Sequence, residues 1–305
     1  MRPLRDGLPA LQSVLPCVNT LLGGTSMTAV AKRRLAVFAL VSANLILFSC
    51  STASNAPQPG TPGFFWAAAK QTYAAGDYQK TVENLGDILS GQSEYVARAQ
   101  PWMLVLTSGM AQGYMELAEA YDKGAHANRA QTTNFRRQVN TFRGNANTLS
   151  LQFADLFSKL DGKEDSVTLA FAYPTGTATE DLLLNKVAGG IWPRESDIEG
   201  IQKRAIARGV VLATCRAVGA KNDPAKAVDL LKTGDAKVAR VTFLQAMAST
   251  LFEQSQLYSH NKLDQPDKMK IFCSRAQDAL KQLPASKDSA DLDKKIQAAL
   301  KKTKA

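Results

Sequence analysis

Apolar residues recur at spacings of three and four along most of the chain from Phe64 onward, which is the spacing of helices that bury one face. The clearest stripe lies in one long predicted helix and consists of Phe135, Val139, Phe142, Ala146, Leu149, Phe153, Phe157 and Leu160. Further helices are predicted over 97–121, 196–218, 241–260, 266–283 and 286–302. The pattern therefore predicts an all-α fold.

Two of the predicted helices begin with capping residues. Ser196 and Glu199 have the spacing of a capping box, and Asp223 precedes a proline that would occupy the first turn. Residues 166–173 resemble a strand, because the large side chains of Val167, Leu169, Phe171 and Tyr173 occupy every second position. This segment lies within an irregular connection, 161–195, that is rich in glycine and threonine. This connection predicts two helical halves, 64–160 and 196–305.

Two segments resemble tetratricopeptide repeats. The first match consists of Phe65, Ala68, Ala69, Tyr73, Gly76, Asp77, Tyr78, Thr81, Val82, Leu85, Ile88 and Leu89, with the Gly-Asp-Tyr turn between its two helices. The second match consists of Phe272, Ala276, Ala279, Leu280 and Pro284, with 241–260 as its first helix. The resemblance implies an irregular tetratricopeptide-like array of helical hairpins, an α-solenoid.

The N-terminal segment has the order of an export signal. Basic residues 32–34 precede an apolar run, 35–48, that is short for a permanent membrane span, and Ser49 and Cys50 follow. With Leu47 three residues before Cys50, this pattern resembles the bacterial lipobox. The resemblance implies a signal peptide over 27–49 and a lipid, such as palmitate, on Cys50. An ordinary transmembrane anchor with an incidental cysteine is the alternative.

The segments on either side of this signal have different compositions. Residues 50–63 are rich in serine, threonine, proline and glycine, which predicts a flexible tether. Residues 1–26 precede Met27 and resemble an over-extended start site. Ser51 after Cys50 is similar to the outer-membrane sorting pattern of Gram-negative lipoproteins. We therefore expect a lipid-anchored protein of the cell envelope that faces the periplasm, at the outer membrane.

The N-terminal half carries a further resemblance. It has a repeat-like first hairpin, then a helix rich in small residues at 106–114, then a helix that contains the sequence Thr-Phe-Arg-Gly-Asn-Ala-Asn at 141–147. This order resembles the T-component lipoproteins of TRAP transporters over roughly 64–160, and it fades past residue 165. The resemblance implies a lipid-anchored helical-repeat protein that associates with a solute-binding partner.

Charge and chemical motifs exclude several classes. The 305 residues carry a net charge of +10, spread without a basic stripe interleaved with aromatics, which argues against nucleic-acid binding. The lysine-rich tail is interpreted as a solvated face. His126 and His260 lack ligand companions at helical spacing, and neither a nucleophile elbow nor a phosphate-binding glycine loop occurs. We predict a protein without catalysis, metal or cofactor.

Cys215 and Cys273 remain after Cys50 is assigned to lipid. In an exported chain two remaining cysteines invite a disulfide. Both also lie on apolar helix faces, where each could be a separate small core residue. The sequence leaves both interpretations open.

Trp66, Lys70 and Tyr73 share one face of the first predicted helix, because they are spaced by four and three. This face lines the inner groove when such hairpins stack, and aromatic residues with a long basic one suit a peptide or partner helix. Alternatively, Trp66 and Tyr73 cover the packing surface of the next helix.

These features predict a lipid-anchored periplasmic scaffold or adaptor that binds another envelope protein or peptide, and does not catalyse a reaction. The T component of a TRAP-type solute uptake system, bound to a solute-binding protein, is the narrower alternative. A cell-envelope hydrolase is the alternative from a different class.

Overall fold

The helices that the apolar spacing predicts are present in the computed structural model of the chain. The helices are α1 (Pro62–Ala74), α2 (Tyr78–Leu89), α3 (Val96–Ala127), α4 (Thr132–Ser158), α5 (Leu182–Ala188), α6 (Glu195–Ala217), α7 (Pro224–Leu230), α8 (Arg240–Ser255), α9 (Pro266–Lys281) and α10 (Lys287–Lys302). Short 3-10 turns follow α3, at Arg129–Gln131, and α8, at Gln256–Tyr258. The predominance of helix confirms the all-α prediction.

The structure describes residues 57–160, 162, 164–179 and 181–302. The predicted start-site over-extension, the predicted signal peptide, the predicted lipid-acceptor Cys50 and the first half of the predicted tether, up to residue 56, lie outside this range. Within it, no helix combines the length and the apolar character that a membrane crossing requires.

Of the two predicted caps, the one at Asp223 is confirmed, and Asp77 is a further cap that was not predicted from the sequence. Asp77 caps α2 and Asp223 caps α7, each by accepting a hydrogen bond from a backbone N–H at 3.2 Å. The capping box predicted at Ser196 is wrong, because α6 already begins at Glu195 and Ser196 lies in its first turn. The acidic Glu195 and Asp197 in that turn compensate the helix dipole instead.

Helix α3 is the centre of the fold, since most of its residues are buried and it packs against α2, α4, α5, α6, α8 and β1. One of these contacts is a hydrogen bond in which Gln254 of α8 donates to the Ser108 carbonyl at 3.3 Å. In a linear repeat array each hairpin contacts only its neighbours. Here α3 contacts helices of both predicted halves, and the described residues form one compact unit.

Helix α3 crosses α6 closely at three glycines. A Cβ atom on Gly209 would lie 2.1 Å from the carbonyl oxygen of Gly109 and 2.8 Å from the amide nitrogen of Gly113. Because any side chain at this position would overlap backbone atoms, the crossing requires glycine. The small-residue segment of α3 therefore serves close helix packing.

Two short strands pair across the fold. Strand β1 (Ser166–Leu169) is antiparallel to β2 (Ala236–Ala239), with Ser166 opposite Ala239 and Leu169 opposite Ala236. The strand prediction at 166–173 is thus confirmed over its first four residues. This register brings the chain that follows Leu169 next to the chain that precedes Ala236, and these two segments form walls of a cavity.

Candidate functional site

A cavity of about 350 Å³ lies at the end of the strand pair, between the segments that adjoin it and helices α1 and α3. We call it the aromatic pocket. Its lining residues are Lys70, Tyr73, Ala74, Trp102, Ala170, Phe171, Ala172, Tyr173, Thr175, Thr233, Gly234 and Asp235. The volume lies at the small end of the range of about 300–1,000 Å³ that is typical of ligand pockets.

Three buried rings form the floor of the aromatic pocket. The Tyr73 ring meets Trp102 edge-on at a centroid distance of 5.2 Å, and Trp102 stacks on Phe171 at 5.7 Å. Tyr73 and Phe171 also meet edge-on, at 5.7 Å. Edge-on and stacked pairs are favourable ring arrangements, so the floor is rigid as well as apolar.

Hydrogen bonds to the α1–α2 turn hold the segment that follows β1. The Tyr78 hydroxyl donates to the carbonyl of Thr175, and the Thr175 hydroxyl donates to the carbonyl of Ala74 at 3.2 Å. The turn itself depends on Gly76, whose φ of +75° lies in the left-handed region that favours glycine. This wall is therefore fixed by α1 and α2 rather than by the sheet alone.

An ion pair holds the opposite wall, the segment that precedes β2. The Asp235 carboxylate pairs with the Arg98 guanidinium from the first turn of α3. The same guanidinium lies over the Trp66 ring, 5.4 Å from its centroid, which is the geometry of a cation–π contact. Asp235 therefore has a cationic partner that is already oriented by the aromatic core.

The three residues predicted to line a groove on α1 have different surroundings in the structure. Trp66 is 7% exposed, stacks on Tyr95 at 5.4 Å and meets Trp102 edge-on at 5.4 Å, so it covers the next helix and does not line the pocket. Lys70 and Tyr73 do line it. Lys70 is exposed at the mouth with its ammonium 5.4 Å from the centroid of the Trp66 ring, whereas Tyr73 is 4% exposed and belongs to the floor.

Buried polar groups lie at the floor of the aromatic pocket. Trp102 Nε1 is buried without a hydrogen bond among the described residues, and the polar neighbour of the buried Tyr73 hydroxyl is the Thr214 hydroxyl. A buried donor without an acceptor costs about 1–3 kcal/mol. Burial raises the pKa of Tyr73 well above its ordinary value, so its hydroxyl keeps its proton.

Lys70 also lacks an anionic partner, since no carboxylate of the described chain lies within 4.0 Å of its ammonium. The ammonium of Lys70, the hydroxyl of Tyr73 and the indole of Trp102 each carry an N–H or O–H donor. Of these three donors only the Lys70 ammonium is exposed, so the pocket presents one unpaired cationic donor beside an apolar floor.

Cys215 and Cys273 are free and buried, each in a different place. Burial raises the pKa of both thiols, with Tyr173 beside Cys215 and Ser255 beside Cys273. The sequence left open a disulfide or two separate core residues, and in the structure the two cysteines are separate core residues.

The histidines and acidic residues have structural partners. His126 contacts the Asp122 carbonyl at 2.8 Å, and His260 contacts the Asp264 carboxylate at 3.0 Å. Asp181 caps α5 and pairs with Arg204 at 2.6 Å. Across the described ranges no three His, Cys, Asp or Glu side chains are grouped so that they could hold a metal ion.

A larger cavity, of about 940 Å³, lies between the end of α8, the start of α9 and α10. Its polar lining residues include His260, Lys262 and Lys295, around an apolar base that contains Phe252 and Met269. Two smaller cavities, of about 490 and 510 Å³, continue along α8. None of the sequence-predicted site residues lines these three cavities.

Sequence reasoning missed the residues that the strand segments contribute to the aromatic pocket. The alternation of residues 166–173 places Phe171 and Tyr173 on the same face as the buried Leu169, which is a signal that could have found them. Asp235 carries no comparable signal, because its position depends on strand pairing with a distant segment.

Comparisons with known proteins found no match for this chain. The chain matches no protein-family model, and it has no detectable similarity to a curated protein or to a solved structure.

Proposed function

We propose that this chain is a lipid-anchored protein of the bacterial cell envelope whose helical body faces the periplasm and binds another envelope protein without catalysis. The observation that carries the proposal is the aromatic pocket, in which a rigid apolar floor lies beside the unpaired ammonium of Lys70. Aromatic pockets beside a long basic side chain suit the anchoring side chains of a protein partner.

The partner is tested by placing a photo-crosslinking amino acid at Lys70 in the full chain and irradiating intact cells. The matched control carries the same amino acid at Lys281, an exposed lysine of α9 that pairs with Asp278. We expect one discrete protein adduct from position 70 and none of that mass from position 281. Identical adduct patterns from the two positions would contradict a partner at the aromatic pocket.

The anchor rests on the sequence pattern that ends at Cys50. Two acyl chains give stable membrane attachment where one is marginal, so a lipidated Cys50 would hold the body at the membrane. Cys50→Ala is expected to leave an unprocessed precursor that takes up no labelled fatty acid. Normal processing of that variant would show that another residue, or no residue, carries the lipid.

We also propose that the hairpins α1–α2 and α8–α9 are tetratricopeptide-like units of an irregular array. Both hairpins pack closely, and the first has its turn at Gly76 and Asp77, as the repeat resemblance implies. Gly76→Ala is expected to destabilise the first hairpin because it forces a side chain into the left-handed region. A change of less than about 0.5 kcal/mol would argue against this turn as a fixed repeat feature.

The narrower proposal is the T component of a TRAP-type uptake system, and it rests on the resemblance over 64–160. It predicts a solute-binding protein as the adduct from position 70, encoded next to this chain. A genomic neighbourhood without transporter genes would count against it, and the broader proposal of an envelope binding protein would remain.

A further inference from the structure

We propose that the aromatic pocket holds the C-terminal end of the partner's chain, with an apolar last side chain on the floor and the terminal carboxylate at Lys70. This inference rests on the proposed function, because it names the chemistry by which a protein partner would bind. It requires a site that attracts an anion and an apolar group at adjacent positions.

The anion is indicated by the unpaired Lys70 ammonium, which is exposed and has no carboxylate within ion-pair distance in the described chain. Asp235 does not neutralise Lys70, because its carboxylate pairs with Arg98. The charges of Lys70, Asp235 and Arg98 thus sum to one net positive charge, and a carboxylate supplies the negative charge and the acceptor atoms that the Lys70 ammonium lacks.

The apolar group is indicated by the floor. Trp102 and Phe171 are at most 2% exposed and stack at a centroid distance of 5.7 Å, with the Tyr73 ring edge-on to both. A volume of about 350 Å³ takes one large side chain and the backbone beside it, and leaves no room for a long ligand. The last residue of a chain carries an apolar side chain and a carboxylate on the same Cα atom, which matches both requirements.

A chain end fits better than a free small acid because the aromatic pocket has an open mouth. Ala74, Thr175 and Thr233 border it and are all exposed, so the residues that precede the bound end can leave along the surface. An enclosed cavity would instead favour a small molecule that is buried on all sides.

The test uses fluorescent hexapeptides that end in phenylalanine, leucine or valine, each as a free acid and as a C-terminal amide, with the full chain purified in detergent. We expect at least one free acid to bind at least about tenfold more tightly than its amide, as a charge-assisted hydrogen bond provides. Lys70→Met should abolish this preference, and Lys70→Arg should keep it. Lys281→Met, the matched control on α9, should change nothing.

Circular dichroism and thermal unfolding of each variant establish that it is folded, which is expected because both lysines are exposed. Equal binding of acid and amide overturns the proposal, as does failure of every peptide to bind. Binding of 3-phenylpropionate as tight as that of the best peptide also overturns it, in favour of a free small acid. The cross-link from position 70 in cells is independent of these outcomes, so the proposed function and this inference fail separately.

Discussion

The two ends of α3 each carry a cluster of aromatic rings, and they differ in how completely the rings fill the space around them. The pocket cluster consists of Trp66, Tyr73, Trp102 and Phe171 and borders the aromatic pocket. The tight cluster consists of Tyr121, Phe135, Phe142 and Trp192. In the tight cluster a Cβ atom on Gly124 would lie 2.5 Å from the Phe135 ring.

The residue types are alike, so the difference comes from the backbone that faces the rings. Tyr121 and Phe135 lie on α3 and α4, whose ridges interlock along their length. The pocket cluster instead faces two segments whose course is set by strand pairing and by side-chain hydrogen bonds. Packed helices fill the space around aromatic rings, whereas loop segments that are fixed only at their ends leave a cavity beside the rings.

Removing one buried ring from each cluster gives the largest expected effect. Phe135→Ala should lower the free energy of unfolding by about 3–5 kcal/mol, because a fully packed ring leaves a cavity. Phe171→Ala should cost roughly 1–2 kcal/mol less, because one side of that ring already borders the aromatic pocket and makes fewer contacts. Urea unfolding of both variants measures the two losses of unfolding free energy. Equal losses would contradict a difference in packing between the clusters.

Overpacking the tight cluster should cost less than removing a ring. Gly124→Ala places a methyl group 2.5 Å from both the Phe135 ring and the Val187 carbonyl, and should destabilise by about 1–3 kcal/mol. Gly144→Ala is the matched control in α4, where a Cβ atom meets nothing within 4 Å. We expect the control to stabilise slightly, through helix propensity. Destabilisation of both variants by the same amount would contradict tight packing at Gly124.

A buried hydroxyl of the tight cluster gives a smaller effect that depends on pH. Burial raises the pKa of Tyr121 from 10.0 to about 12, and its hydroxyl has no hydrogen-bond partner. The stability from its neutral form is complete below pH 10 and is lost as the pH rises from 10 to 12, since the unfolded state ionises first.

Tyr121→Phe should therefore raise the free energy of unfolding at neutral pH by about 1 kcal/mol, because the unpaired hydroxyl is removed. It should also make the loss of stability at alkaline pH less steep than in the unchanged chain. Chemical unfolding at pH 8, 10 and 11.5 measures both effects. A steeper alkaline loss in the variant would contradict the raised pKa.

The smallest effect is expected at the mouth of the aromatic pocket. Asp235→Asn removes the partner of Arg98, and because both side chains are partly exposed the cost should be below about 1 kcal/mol. Asp229→Asn, which removes the surface partner of Lys232, is the control and should cost even less. A loss above about 2 kcal/mol for Asp235→Asn would show that the ion pair supports the fold as well as the wall.

Local patterns in the sequence were enough to predict the helices and one of their caps. The stripe from Phe135 to Phe157 is buried as predicted, and Asp223 caps its helix as predicted, because capping involves residues only a few positions apart. Ser196 had the same local pattern, but the helix began one residue earlier. A capping motif therefore locates the turn in which a helix begins more reliably than the residue at which it begins.

The aromatic pocket could be predicted only in part. The spacing of Lys70 and Tyr73 placed them correctly on one helix face. Whether a residue on that face contacts another helix or a cavity is decided by the tertiary fold. Trp66, on the same face, contacts Tyr95 and not the cavity. The second wall depends on the pairing of Leu169 with Ala236, two residues far apart in the chain. Four-residue strands give too short an alternation to predict that pairing.

The strand pair also separates the walls of the aromatic pocket from the helices that form the core. Residues 170–175 and 233–235 both adjoin one end of the pair, while the paired residues behind them fix their starting points. We therefore expect an insertion in either segment to change the shape of the pocket more than the strand register. The strand pair is thus a frame on which the walls of the pocket can be exchanged.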